Sequence, residues 1–159
     1  MNRDIIRKMT RTAAWSLGCS VFIALAVILF YYISDYRFTI SATAAKYMFF
    51  GAVILAVLVV AMALLTIRKR PRQIRQIDDI TTRLTEYASM VKSIFRTTLS
   101  TSLILSAVIL LTGNNTLLMF VIIIVLLQIM SFPNMYKVKV DAGLTHEEMH
   151  AIFGDDYKE

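Results

Sequence analysis

Four runs of this chain carry no Asp, Glu, Lys, Arg or His: Ala13 to Ile33, Tyr47 to Ile67, Thr97 to Thr112 and Thr116 to Phe132. An α-helix rises 1.5 Å per residue and a bilayer's hydrocarbon layer is about 30 Å deep, so the first two runs cross unaided and the last two with help from their flanks. The pattern predicts an all-α, polytopic membrane protein with four transmembrane helices in one bundle. The whole chain, residues 1–159, reads as a single membrane domain with spans at about 13–33, 47–67, 97–112 and 116–132. The intervening polar stretches, residues 68–96 and the tail 133–159, are expected to be cytoplasmic.

Punctuation is sparse. Pro71 and Pro133 each lack a backbone donor and crowd the preceding turn, so each is expected to mark a helix boundary. Nothing between Pro71 and Gly113 interrupts a helix, which predicts a cytoplasmic extension of the third span about 25 residues, or 37 Å, long. The extension has a heptad-like stripe: Ile77, Leu84 and Val91 recur every seven residues, with Ile80, Tyr87 and Ile94 three residues after each. Asp78, Asp79, Glu86, Lys92 and Arg96 take the other side, leaving one apolar seam on a wetted helix. Such a seam is covered either by the chain's own Ile5, Ile6 and Met9 or the bilayer surface, or by a second copy or another protein as a short coiled coil.

Charge fixes an orientation. Of 17 Lys and Arg, 15 lie before the first span, between the second and third, or after the fourth. The Gly113-Asn114-Asn115 turn has none, and Arg37 and Lys46 are the two in the remaining connection. The positive-inside rule places both termini and the middle loop in the cytoplasm, in a plasma membrane, or an inner membrane if the source is bacterial. The net charge of +6 is thus a topology signal rather than a nucleic-acid footprint. Arg68, Lys69, Arg70, Arg72 and Arg75 sit just below the inner leaflet, where each can gain about 1 kcal/mol from anionic lipid, although topology alone explains the cluster. Trp15 falls near the inner boundary, and Tyr31, Tyr32, Tyr36 and Tyr47 near the outer one, as amphipathic rings prefer.

Composition agrees: 57% of residues are hydrophobic and mean hydropathy is +0.64. At 18.1 kDa there is no room for a separate soluble catalytic domain. The single Cys19 lies inside the first span and excludes an intrachain disulfide.

Within the spans the polar inventory is short. Thr98, Ser102 and Ser106 recur every four residues on one face of the third span, and Gln128 is the most polar group of the fourth. Ser16, Ser20 and Ala24 in the first span, and Gly51, Ala52 and Ala56 in the second, form comparable small-residue faces. These rows suit close helix packing with interhelical hydrogen bonds, or, as the competing reading, a hydroxyl-lined path.

One string has a catalytic association. His146-Glu147-Glu148-Met149-His150 matches H-E-x-x-H, in which two imidazoles one helical turn apart bind zinc and the glutamate serves as general base. A catalytic site needs a third ligand, for which Asp155, Asp156 or Glu159 are the candidates. The same letters also spell a capped helix: Thr145 and Glu148 form a capping box, Leu144 and Met149 a staple, and Gly154 a stop. That reading predicts a short C-terminal cytoplasmic helix docked through Met149, Ile152 and Phe153. There is no glycine-rich phosphate loop or nucleophile elbow, and no cofactor is expected.

The combined expectation is a non-enzymatic integral membrane protein acting as an accessory, scaffold or assembly subunit through helix–helix interaction, using the Ile77 to Ile94 seam to form a homo-oligomer or to recruit another membrane or cytoplasmic protein. A small channel or carrier lined by Thr98, Ser102, Ser106 and Gln128 is the alternative. A membrane-tethered zinc metallopeptidase is the third.

Overall fold

A computed structural model describes residues 2–33 and 40–154. Those residues are helical almost throughout, with no strand among them. Helices α1 (Asn2–Ile33), α2 (Ala42–Ile74) and α3 (Ile80–Thr112) are each long and apolar enough to cross a membrane. A shorter apolar helix, α4 (Leu118–Met130), follows a single 3₁₀ turn at Asn115–Leu117, and two short helices, α5 (Met135–Ala142) and α6 (His146–Phe153), complete the chain. The segment Asn115–Met130 meets α5 at a bend of 79°, and the two pass as one span only if the broken pair is counted together.

α3 is the central mast, packed most extensively against α1 and α2 and then against α4. α1 runs parallel to it. Thr81 at the start of α3 donates to Asn2, Ser16 donates to the Phe95 carbonyl, and Tyr31 donates to the Gly113 carbonyl where α3 ends. Gly113 closes α3 in the left-handed region (φ 65°), where a residue without a Cβ turns the chain at least cost, and Asn114 caps the next turn by accepting from the Thr116 N–H. One end of the bundle is therefore this turn. The other holds the basic start of α1, the Arg68–Arg75 segment, α5 and α6.

Two apolar cores are stacked along the mast. The one toward the basic end gathers Ile6, Met9, Leu84, Tyr87, Val91, Ile94, Phe95, Val138, Met149 and Phe153; the one toward the turn gathers Val27, Ala56, Leu105, Ile109, Val121 and Ile124. Ala52 and Ala56 are buried where α2 meets the second core, as small residues that let helices approach closely, whereas Gly51 faces outward.

Three sequence expectations are corrected. Pro71 does not end a helix: it is buried inside the last turn of α2, which stops at Ile74. Proline denies the Ile67 carbonyl a helical donor but keeps its own carbonyl, which accepts from the Arg75 N–H at 3.1 Å, so the helix closes one further turn before it stops. The helix extending the third span is not continuous from Pro71 either. The chain breaks at residues 75–79, and Asp79 restarts it as N-cap, its carboxylate accepting from the Thr82 N–H at 2.7 Å and the Thr82 hydroxyl at 2.6 Å. An aspartate at an N-cap competes for backbone donors better than it propagates a helix. The part of α3 ahead of the apolar run is thus about 25 Å long rather than 37 Å. Finally, the tail holds two helices, not one. Asn134 caps α5 by accepting from the Lys137 N–H at 2.7 Å, and Gly143 (φ 65°) ends it. The α6 capping box is formed on both sides, Thr145 Oγ accepting from the Glu148 N–H and Glu148 Oε2 from the Thr145 N–H.

Candidate functional site

The apolar seam on α3 is covered by the chain itself. Leu84, Tyr87, Val91 and Ile94 are buried among Ile6 and Met9 of α1 and Val138, Met149 and Phe153 of the tail, while Ile80 packs at the edge and Ile77 lies in the connection before the helix. Of the two coverings the heptad pattern allows, the intramolecular one is present at Leu84, Tyr87, Val91 and Ile94.

Beside that seam lies a residue the sequence reading counted only as a topology charge. Arg83 stands seven residues before Met90, in the row flanking Leu84 and Val91, and is buried with them. Its guanidinium donates through Nη1 to the Gly143 carbonyl and through Nη2 to Glu148 Oε1, both at 2.8 Å. Glu148 therefore serves twice, holding the N-cap of α6 with one oxygen and Arg83 with the other. The fork of one arginine fastens the α5–α6 turn to the mast, in the bidentate use to which this planar cation is suited.

Next to the fork, Arg75 lays its aliphatic stem over Gly143: a Cβ placed there would stand 2.6 Å from Arg75 Cγ. The Tyr87 hydroxyl is buried without a hydrogen bond of acceptable geometry. Burial first, and the negative charge of Asp141 second, hold it above the ordinary tyrosine value. Burial likewise raises the Asp141 carboxyl, against the opposing pull of Lys137 and Arg75. Lys137 also donates from Nζ to the Met130 carbonyl at the end of α4, where exposed carbonyls favour a cation.

Between the two cores runs a polar column. Gln128, with no exposed surface, donates through Nε2 to Thr98 Oγ1 at 2.8 Å, and Thr98 in turn bonds the Ile94 and Phe95 carbonyls. Ser16 bonds Phe95 across the α1–α3 contact, and Ser20, Ser102 and Ser106 are buried nearby in sequence on the same helices. Thr98, Ser102, Ser106 and Gln128 thus all point inward. Among the described residues, Ser20 Oγ, Ser102 Oγ, Ser106 Oγ, Ser131 Oγ and Gln128 Oε1 are buried and unpartnered.

The H-E-x-x-H string forms the helix that its spacing requires, with the His146 and His150 rings 4.8 Å apart and edge-on. Both side chains are at the surface, as is Glu147, and the described residues hold no group of three His, Cys, Asp or Glu able to share a metal. Asp155, Asp156 and Glu159 lie outside the described residues.

The basic cluster Arg68, Lys69, Arg70, Arg72 and Arg75 is exposed at the end of α2, with Arg70 3.8 Å from Glu86 on α3. A second basic row on α1, Arg3, Arg7 and Arg11, borders a groove of about 710 Å³ that also touches Phe132, Pro133 and Met135. Comparison with protein families, with curated proteins and with solved structures finds no match.

Proposed function

We propose that the chain is a non-enzymatic integral membrane protein, an accessory, scaffold or assembly subunit that acts through packing in the bilayer rather than through chemistry. In this reading α1, α2, α3 and α4 are four spans and both termini are cytoplasmic, in the plasma membrane or a bacterial inner membrane. The parallel course of α1 and α3, with the basic start of α1, the Arg68–Arg75 cluster and the tail at one end, agrees with the positive-inside rule.

The observation that carries the proposal is the unequal burial of the spans. The most apolar windows of α1 and α2 are only 22% buried within the chain, against 50% for α3. Their outward faces present Trp15, Phe22, Leu29, Phe50, Ile54 and Leu58. The buried polar groups best suited to chemistry are meanwhile engaged in holding the fold: Arg83 with Glu148, and Gln128 with Thr98. A molecule whose central helix is the more enclosed and whose outer helices are open is suited to contact lipid and other spans laterally, through α1 and α2. Native mass measurement from nanodiscs tests this. A complex of fixed stoichiometry, lost on Phe22→Ser or Leu58→Ser at unchanged insertion, is expected; a bare monomer under all gentle conditions contradicts it.

A channel or carrier is the second reading, and the unpartnered Ser20, Ser102 and Ser106 hydroxyls favour it. It predicts that Ser102→Leu and Ser106→Leu alter flux into liposomes at normal yield. Equal loss of folding assigns those hydroxyls to packing.

A further inference from the structure

Three adjoining concavities follow one face of α1 from the basic end toward bilayer depth. The first, about 710 Å³, lies between Arg3, Arg7 and Arg11 on one wall and Phe132, Pro133 and Met135 on the other. The second continues it past Arg11, Thr12, Ala14 and Trp15. The third, about 380 Å³, is apolar and is lined by Trp15, Gly18 and Phe22. Arg3, Arg7 and Arg11 are spaced by four, and Ala14, Gly18 and Phe22 continue the row, so a single helical stripe passes from guanidinium to hydrocarbon chemistry.

The notch at Gly18 is open: a Cβ built there meets nothing within 4 Å. Trp15, 77% exposed, and Phe22, 73% exposed, rise one turn to either side of it. From Ala14 to Phe22 the stripe covers about 12 Å of helix, close to the roughly 15 Å depth of one leaflet's hydrocarbon. Among the described residues, no carboxylate lies in the first concavity, and neither Arg7 nor Arg11 has an ion-pair partner.

From this juxtaposition we infer that the α1 stripe is a seat for one anionic phospholipid, its phosphate held by Arg7 and Arg11 and an acyl chain lying over the Gly18 notch. The inference rests on the reading of α1 as a membrane span. Charge complementarity selects the occupant. A zwitterionic lipid has the phosphate but adds a cation that would sit beside Arg7 and Arg11. A soluble anion would use the guanidinium pair and leave the notch idle. The planar guanidinium bonds phosphate oxygens in pairs, and such contacts strengthen where the lower dielectric of the bilayer begins. This seat differs from the Arg68–Arg75 cluster, whose side chains are exposed at the end of α2 and border none of the three concavities.

The full chain, released from nanodiscs containing equal parts phosphatidylglycerol and phosphatidylcholine, reports the occupant by native mass spectrometry. Wild type is expected to retain one phosphatidylglycerol in preference to phosphatidylcholine, and Arg7→Gln/Arg11→Gln to lose that preference by about fivefold per arginine. Gly18→Leu, which fills open space and leaves the helix intact, is expected to lower retention with both arginines present. Arg68→Gln/Arg72→Gln is expected to keep it. Equal retention of the two lipids by wild type, or unchanged retention in either the arginine or the Gly18 variant, overturns the proposal. Failure of the chain to enter nanodiscs at all would instead overturn the membrane reading beneath it.

Discussion

Gln128 of α4 donates to Thr98 of α3 at 2.8 Å, between an apolar core on the basic side and another on the turn side. The two partners are not equivalent. Thr98 keeps its bonds to the Ile94 and Phe95 carbonyls if Gln128 is removed, whereas Gln128, whose Oε1 is already unpartnered, has nothing left if Thr98 is removed. Thr98→Val is therefore expected to destabilise more than Gln128→Leu, by about 1–3 kcal/mol for the stranded amide. The double variant should resemble Gln128→Leu alone, so the coupling should equal the whole cost of Thr98→Val. Reversible unfolding in mixed micelles measures this, and strict additivity would mean that the pair does not interact.

The Arg83 fork predicts a hierarchy at the basic end. Arg83→Met strands the Gly143 carbonyl and one oxygen of Glu148, whereas Glu148→Gln keeps an N3 side chain able to complete the capping box. Side-chain exposures of 10% and 20% place the pair largely out of water. Breaking it from the arginine side should cost about 3 kcal/mol, the low end for buried pairs, because water can reach the glutamate. Hydrogen exchange reads the outcome directly: α5 and α6 should lose protection in Arg83→Met and keep most of it in Glu148→Gln. Equal exchange in both would deny the fork its role.

A third prediction separates backbone strain from crowding at Gly143. A side chain there meets a left-handed φ of 65° and Arg75 Cγ at 2.6 Å. Gly143→Ala should cost about 1–2 kcal/mol for the conformation alone, with more from displacing the Arg75 stem. Adding Arg75→Ala should recover the second part and not the first. If the arginine change recovers nothing, the stem does not pack on Gly143.

Asp141 and Tyr87 set the pH dependence. Burial leads in both cases and raises both groups above their ordinary values of 3.8 and 10.0, so the folded chain holds each proton more tightly than the unfolded one. The stabilisation from protonated Asp141 is complete below 3.8 and fades as pH rises through its raised native value. Asp141→Asn should match wild type in acid and exceed it at neutral pH. By the same sign Tyr87 opposes unfolding until pH passes 10.0 and contributes progressively less above it. Tyr87→Phe should flatten that alkaline decline; stability curves that coincide with wild type at every pH would contradict both assignments.

Much of this architecture is written in short-range patterns. Uncharged runs gave the long apolar helices, Gly113 gave the turn, and Thr145 with Glu148 gave the cap of α6. Pro71 lies inside α2 and not at its edge because its carbonyl still accepts from Arg75, so the helix closes one further turn after the proline. Asp79 belongs to the polar side of the seam, but an aspartate followed by Ile80-Thr81-Thr82 is also an N-cap signal, so the break before α3 is legible in the sequence. Asn134 and Gly143, which bracket α5, are signals of the same kind. Periodicity disclosed an apolar seam but could not name its cover, because Met149 and Phe153 reach it from more than fifty residues away. Arg83 lay in a seven-residue row with Met90, a signal of burial that its charge obscured.

The central claim is that the Leu84–Ile94 seam is closed by the chain's own α1, α5 and α6, which leaves lateral contact to α1 and α2. Labelling in native membranes with a small maleimide, on a Cys19→Ser background, tests it most directly through single cysteines at residues 84, 87, 89, 91, 92, 93 and 94. Rapid labelling at the exposed positions 89, 92 and 93, with protection at 84, 87, 91 and 94 that is lost when α5 and α6 are released by Arg83→Met, is the predicted result. Labelling of the four seam positions as fast as the exposed ones in the otherwise unaltered chain would contradict it.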